Sequence, residues 1–178
     1  MTDARSALIA SAALMASLVA AAPAVAQSTD VDLAQFDGRW FEIARNPNNV
    51  QKDCSRAQID FNSAGAADRY RITVTCTRRA DGVVETLRAN ARVTDTTTNA
   101  RFRFSLTGLL SFGGLAGQNY VVWDHAPDYS WAIMGLPNKS NWWIWHRSQS
   151  PSAAVRTSTL ARARALGFNT ASPVQTGL

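Results

Sequence analysis

Phe36-Asp37-Gly38-Arg39-Trp40-Phe41-Glu42-Ile43-Ala44-Arg45 is the stretch on which the reading of this chain turns. A glycine two residues ahead of a tryptophan, running into alternating apolar positions, reads as a turn opening into a β-strand. Gly38 permits tight backbone geometry, and Trp40 brings the largest apolar side chain to a core. Alternation places Trp40, Glu42 and Ala44 on one face and Phe41, Ile43 and Arg45 on the other. A lone Gly-x-Trp is weak, so its weight depends on the rest of the chain.

Downstream the pattern is strand after strand, punctuated by turns. In Cys54-Ser-Arg-Ala-Gln-Ile-Asp-Phe61 the residues Ala57, Ile59 and Phe61 share a face, and in Tyr70-Arg-Ile-Thr-Val-Thr-Cys76 so do Tyr70, Ile72, Val74 and Cys76. Gly65 sits in the connection between them, which reads as a hairpin. Pairing Phe61 with Tyr70 puts Cys76 opposite Ser55, one residue from Cys54, an offset that a β-bulge absorbs. Leu87, Ala89, Ala91 and Val93 alternate with polar residues, as do Phe102, Phe104 and Leu106. Residues 120–124, 129–135 and 141–147 supply three more strands. Short strands with no helices between them predict a closed antiparallel barrel or a sandwich. Only the tail changes period: Ser152 caps a helix whose stripe is Val155, Thr159, Leu160, Ala163 and Leu166, ended by Gly167.

The first residues read as outside the fold. Residues 7–22 are small or apolar apart from two serines, and Ala24-Val25-Ala26 has the small-residue pattern of a signal-peptidase site. The expectation is a signal peptide over residues 1–26 and one domain over 27–178, periplasmic or secreted, with no cysteine placed for lipid attachment. Two cysteines in an exported chain, Cys54 and Cys76, read first as a disulfide; a reactive thiol is the alternative. The net charge is +5 and the pI about 9.9. The basic residues read as dispersed, because pairs such as Arg101 and Arg103 alternate with apolar positions like a solvated face. No nucleic-acid partner is expected.

Three stretches together resemble the lipocalin family, and within it the branch of bacterial outer-membrane lipocalins and apolipoprotein D. They are Gly38-Arg-Trp40-Phe-Glu-Ile-Ala-Arg45, Asp124-His-Ala-Pro-Asp128-Tyr129-Ser-Trp-Ala-Ile-Met-Gly135, and Trp143-Ile-Trp145-His-Arg147-Ser. The chain departs from the family at His125-Ala126, where an acidic residue is more usual. The resemblance implies an all-β, eight-stranded antiparallel up-and-down barrel with a C-terminal α-helix packed outside. It also implies structural roles for Gly38, Trp40, Asp128, Tyr129 and Arg147 at the closed end. Trp40 would plug that end, with Arg147 stacked on its ring. Residues 46–53, 77–84, 107–118 and 136–141 would then lie at the open mouth, near both cysteines.

Alternation assigns Ile59, Leu87, Ala89, Ala91, Phe102, Phe104, Tyr120, Val122, Met134 and Trp143 to the barrel interior. Small residues facing aromatic ones leave an apolar space suited to a fatty acid or lysophospholipid, or to a flat tetrapyrrole or carotenoid. Side chains that simply fill the barrel are the structural alternative. No interior cation is expected; Lys52, Arg78 and Arg79 are placed near the mouth for a head group. Leu109, Leu110, Phe112 and Leu115, in the Gly-rich stretch 108–115, read either as a membrane contact or as a lid. No cofactor is implied, no residue set has metal-ligand spacing, and neither His125 nor His146 lies in a nucleophile motif, so no enzyme is expected.

Overall fold

The computed structural model describes residues 30–106 and 117–177. The expected leader, residues 1–26, and the apolar stretch carrying Leu109, Leu110, Phe112 and Leu115 lie outside the described residues. A four-residue helix, α1 (Leu33–Phe36), comes first, and the Asp32 carboxylate caps it by accepting from the backbone N–H groups of Ala34 and Gln35. Eight strands follow: β1 (Gly38–Arg45), β2 (Cys54–Ser63), β3 (Arg69–Arg78), β4 (Val84–Val93), β5 (Arg101–Leu106), β6 (Asn119–His125), β7 (Trp131–Gly135) and β8 (Trp142–His146). Each pairs antiparallel with the next, and β1 pairs with both β8 and β2, so the sheet closes on itself. The architecture is the eight-stranded up-and-down barrel expected, with helix α2 (Ala153–Ala165) outside it and one extra strand, β9 (Val174–Gln175).

That extra strand explains how the barrel closes. The first half of β1 pairs with β2, from Gly38 opposite Phe61 to Phe41 opposite Gln58. Farther along, Ala44 and Arg45 pair with β9 instead. The β1–β2 seam is therefore zipped at the closed end and unpaired toward the mouth.

Strict alternation fails inside β1. The register against β8 shifts between Glu42 and Ala44, a bulge at Ile43. The extra residue changes the parity of everything after it. Ile43 and Ala44 both pack outward against Ala163, Leu166 and Phe168 under α2, while Arg45 joins Glu42 in a buried contact. The expected separation of Arg45 from Glu42 onto opposite faces is thus corrected.

The β2–β3 ladder is also displaced from the expected register. Phe61 faces Ile72, not Tyr70, because the hairpin closes tightly at Ala64 and Arg69 and the ladder begins at Ser63 opposite Tyr70. Ala57 then faces Cys76 and Cys54 faces Arg78, with Ser55 the additional residue of a bulge. The Cys54–Cys76 disulfide forms across this bulge with its Cα atoms 5.4 Å apart.

Helix α2 buries Arg156, Thr159, Ala163 and Leu166, with Leu160 partly covered and Val155 half-exposed. An arginine on the buried stripe departs from the apolar pattern. It is stabilised there because its guanidinium donates to the carbonyls of Ile43, Thr176 and Gly177 at 2.9–3.1 Å.

Candidate functional site

The closed end is built from three separated parts of the chain. Trp40 is fully buried and its indole N–H donates to the Phe36 carbonyl at 2.9 Å. Arg147 lies with its guanidinium carbon 3.7 Å from the Trp40 ring centroid and donates to the carbonyls of Arg39, Asp37 and Gln35. Tyr129 adopts a positive φ of 54°, and its hydroxyl accepts from the Asp32 N–H at 2.7 Å, tying the β6–β7 turn to the α1 cap. Asp128 accepts from the Ser130 N–H, and hydrogen bonding from Ser130, its side chain first and then this N–H, holds the carboxyl below its usual range. Gly38 has φ of 92°, conformational space that side-chain-bearing residues rarely adopt. At His125, where the chain departs from the acidic residue more usual in the family, the ring stacks on Tyr129 at 4.2 Å and contacts the Asp30 carbonyl through Nε2.

Above this floor the barrel is filled before it is empty. Phe36, Phe61, Tyr70 and Phe102 pack ring against ring at 5.0–6.0 Å. Three residues expected at a ligand surface, Ala91, Phe102 and Val122, are buried in the same core and are not among the residues that line the cavity. Alternation identifies the inward face but not the height in the barrel.

A cavity of about 130 Å3 occupies the upper half and opens at the mouth. About 10–15 Å3 is enough for one water, so this space is several times larger than an isolated solvent molecule needs. Seven of the expected residues line it: Ile59, Leu87, Ala89, Phe104, Tyr120, Met134 and Trp143. Val74 and Trp145 complete the wall, the Cys54–Cys76 disulfide lies on it, and Glu85, Thr86, Val50 and Gln51 stand toward its rim. Val74 and Trp145 were legible as inward-facing by alternation. Gln51, in the β1–β2 connection, carried no periodic signal.

Most of the polar chemistry behind the wall is closed on itself, with Arg45 Nε buried and without a hydrogen-bond partner among the described residues. Arg45 binds Glu42, and also donates to the carbonyls of Gln51 at 2.6 Å and Cys54 at 3.3 Å. Gln51 in turn donates to the second Glu42 oxygen at 2.8 Å and accepts from the Trp143 indole N–H at 2.6 Å. Burial pushes the Glu42 carboxyl up, a tendency that Arg45 and the Gln51 amide oppose. An interior cation therefore exists, contrary to expectation, but Glu42 neutralises it. Within the cavity itself, the Tyr120 hydroxyl has no hydrogen-bond partner among the described residues. Burial raises its pKa, so it remains a neutral donor.

At the rim, Arg78 is paired with Asp81 and Glu85, and exposed Lys52 lies 3.9 Å from Asp53, so of the three expected mouth cations Arg79 is the one outside any ion pair among the described residues. His146 sits outside the barrel wall opposite Phe41, its Nδ1 engaged with Ser148.

A family model described as a lipocalin-like domain matches residues 31–176. Similar solved structures include lobster apocrustacyanin A1, at 15% identity and a TM-score of 0.59, covering 85% of this chain and 88% of that one. The cockroach allergen Per a 4 is similar at 14% identity and a TM-score of 0.60, covering 85% of this chain and 92% of that one. Identities this low speak to the fold alone. No curated protein matches the chain.

Proposed function

The chain belongs to the lipocalin-like domain family, and on that premise we propose that it reversibly binds and carries a fatty acid or lysophospholipid, acyl chain first. The observation that carries this reading is the apolar cavity above a sealed floor, open at one end only and walled by Ile59, Leu87, Phe104, Met134 and Trp143. Removing ligand surface from water there contributes roughly 25 cal/mol per Å2 before ordering costs. The orientation follows from charge. Arg45 is committed to Glu42 behind Gln51, so a carboxylate or phosphate has no free cation inside and its head group stays near Lys52 and Arg79.

The Cys54–Cys76 bridge supports an oxidising, exported location. Kinship with the bacterial and apolipoprotein D branch rests on the three quoted motifs. Binding without chemistry is supported by the engagement of both histidines in local structural contacts.

Titrating the delipidated protein with palmitate or lysophosphatidylcholine should quench or shift the fluorescence of Trp143 and Trp145 on the cavity wall. The Ala89→Trp variant, which fills the cavity from β4, should remain folded and lose that response. A wild-type protein silent to both ligands overturns the reading. A second reading, a flat conjugated ligand, is favoured by the aromatic wall of Phe104, Tyr120 and Trp143. A visible absorption band in the purified protein would select it.

A further inference from the structure

The strand register gathers charges that looked dispersed along the sequence. Arg69 on β3 stands directly opposite Arg92 on β4, and Arg92 stands opposite Arg103 on β5, so three guanidiniums form one row across three strands. Arg71, Arg88 and Arg101 extend the same outward face. Six of the chain's 18 basic residues thus share one wall of the barrel, about 10 Å across the strands and about 20 Å along them. The expectation of scattered basic residues is corrected here, because sequence alternation gives the face but only register gives the neighbours.

All six side chains are exposed, and none is in an ion pair among the described residues. The carboxylates bordering the wall do not neutralise it: Asp60 is bound to Arg39, and Asp95 is held by Thr97 and Thr98, with Arg101 acting on it only at a distance. Like charges directly opposite one another destabilise a sheet. No ion pair among the described residues compensates this row.

The wall also has a local shape. Arg69, Arg71, Asn90, Arg92, Arg103 and Ser105 border a shallow surface hollow. Guanidiniums recognise phosphate oxygens in a planar, two-pronged geometry, and their weak hydration favours such contacts over those of lysine. The neighbours between the arginines on this face are Thr73, Asn90 and Ser105. None is aromatic, and Tyr70, which also borders the hollow, is only 3% exposed, so the face has no platform on which unpaired bases stack. It is the convex side of a barrel, not a groove that follows a strand of nucleic acid.

We propose that the β3–β4–β5 wall is a docking surface for an anionic phospholipid bilayer, against which the barrel lies on its side. The array of outward guanidiniums meets an array of phosphate head groups, and attraction is confined to about a Debye length from the surface. This inference is independent of what the cavity holds, since none of the six arginines lines it.

The test uses the intact exported chain and vesicles of phosphatidylcholine with or without phosphatidylglycerol, followed by co-sedimentation at low and high salt. Binding should require phosphatidylglycerol and fall as salt rises. The Arg92→Gln/Arg103→Gln variant should bind about 30-fold more weakly. Arg56→Gln/Arg164→Gln, which removes two exposed arginines outside this wall, should bind nearly as the wild type does. Near-UV circular dichroism verifies that each variant is folded. The proposal is overturned if the wild type ignores phosphatidylglycerol, or if the wall variant binds undiminished. It is equally overturned if the Arg56/Arg164 variant is the one that loses binding, or if duplex DNA is bound and vesicles are not.

Discussion

At the scale of single residues, the most consequential position is Glu42. It is 1% exposed, and its two oxygens are divided between Arg45 and the Gln51 amide. Removing one member of a buried ion pair leaves the other charge unpaired, which costs about 3–5 kcal/mol. Glu42→Gln should therefore destabilise the fold by about that amount in urea denaturation. Glu42→Leu combined with Arg45→Met should recover much of the loss, since an apolar pair of similar volume carries no desolvation penalty. If the double variant is no better than the single one, the pair is contributing more than mutual neutralisation. Arg147 differs in kind: its charge rests on the face of Trp40, and its donors serve the carbonyls of Gln35 and Asp37 at the end of α1 and of Arg39 in β1.

Among the elements, strands were legible and irregularities were not. Alternation of Tyr70, Ile72 and Val74, or of Phe102 and Phe104, follows from a pleated backbone with one buried face, and the structure has those faces. The bulges at Ile43 and Ser55 insert a residue without altering composition, so no periodic signal marks them. The bulge at Ile43 is why Arg45 was placed on the wrong side; the β2–β3 ladder was two residues out because the hairpin closes tightly at Ala64 and Arg69. The site was legible to the same degree: the inward residues could be named, but the boundary between packed floor and open cavity depends on how Phe36 and Phe61 stack, which is a tertiary property. The disulfide belongs to this scale because it joins β2 to β3 across the bulge, with 22 residues separating the cysteines in sequence. Cys54→Ser/Cys76→Ser should lower the unfolding free energy by about 3 kcal/mol on the chain-entropy account. Denaturation of the wild type with and without dithiothreitol measures the same quantity independently.

For the whole molecule, the arginine wall and the barrel pull in opposite directions. The row Arg69, Arg92 and Arg103 weakens the sheet that presents it, so Arg92→Gln should raise stability by about 0.2–1 kcal/mol at low ionic strength. Salt should erase the difference, because screening removes the repulsion in the wild type. Thermal unfolding at two salt concentrations checks both statements; a variant less stable than the wild type would mean the guanidiniums support one another through packing. The last consequence comes from the way β1 changes partner partway along its length. Toward the mouth, β2 hydrogen-bonds to β3 and leaves β1 to β9, so the vessel is a split ring and not a cup. Two fasteners bridge or brace the slit: Arg45 reaches across it to the Cys54 carbonyl, and the disulfide rivets the loose edge of β2 backward to β3. Cargo too wide for the resting aperture has one direction in which the rim can spread, along that slit, and the Arg45 clasp is what it must strain.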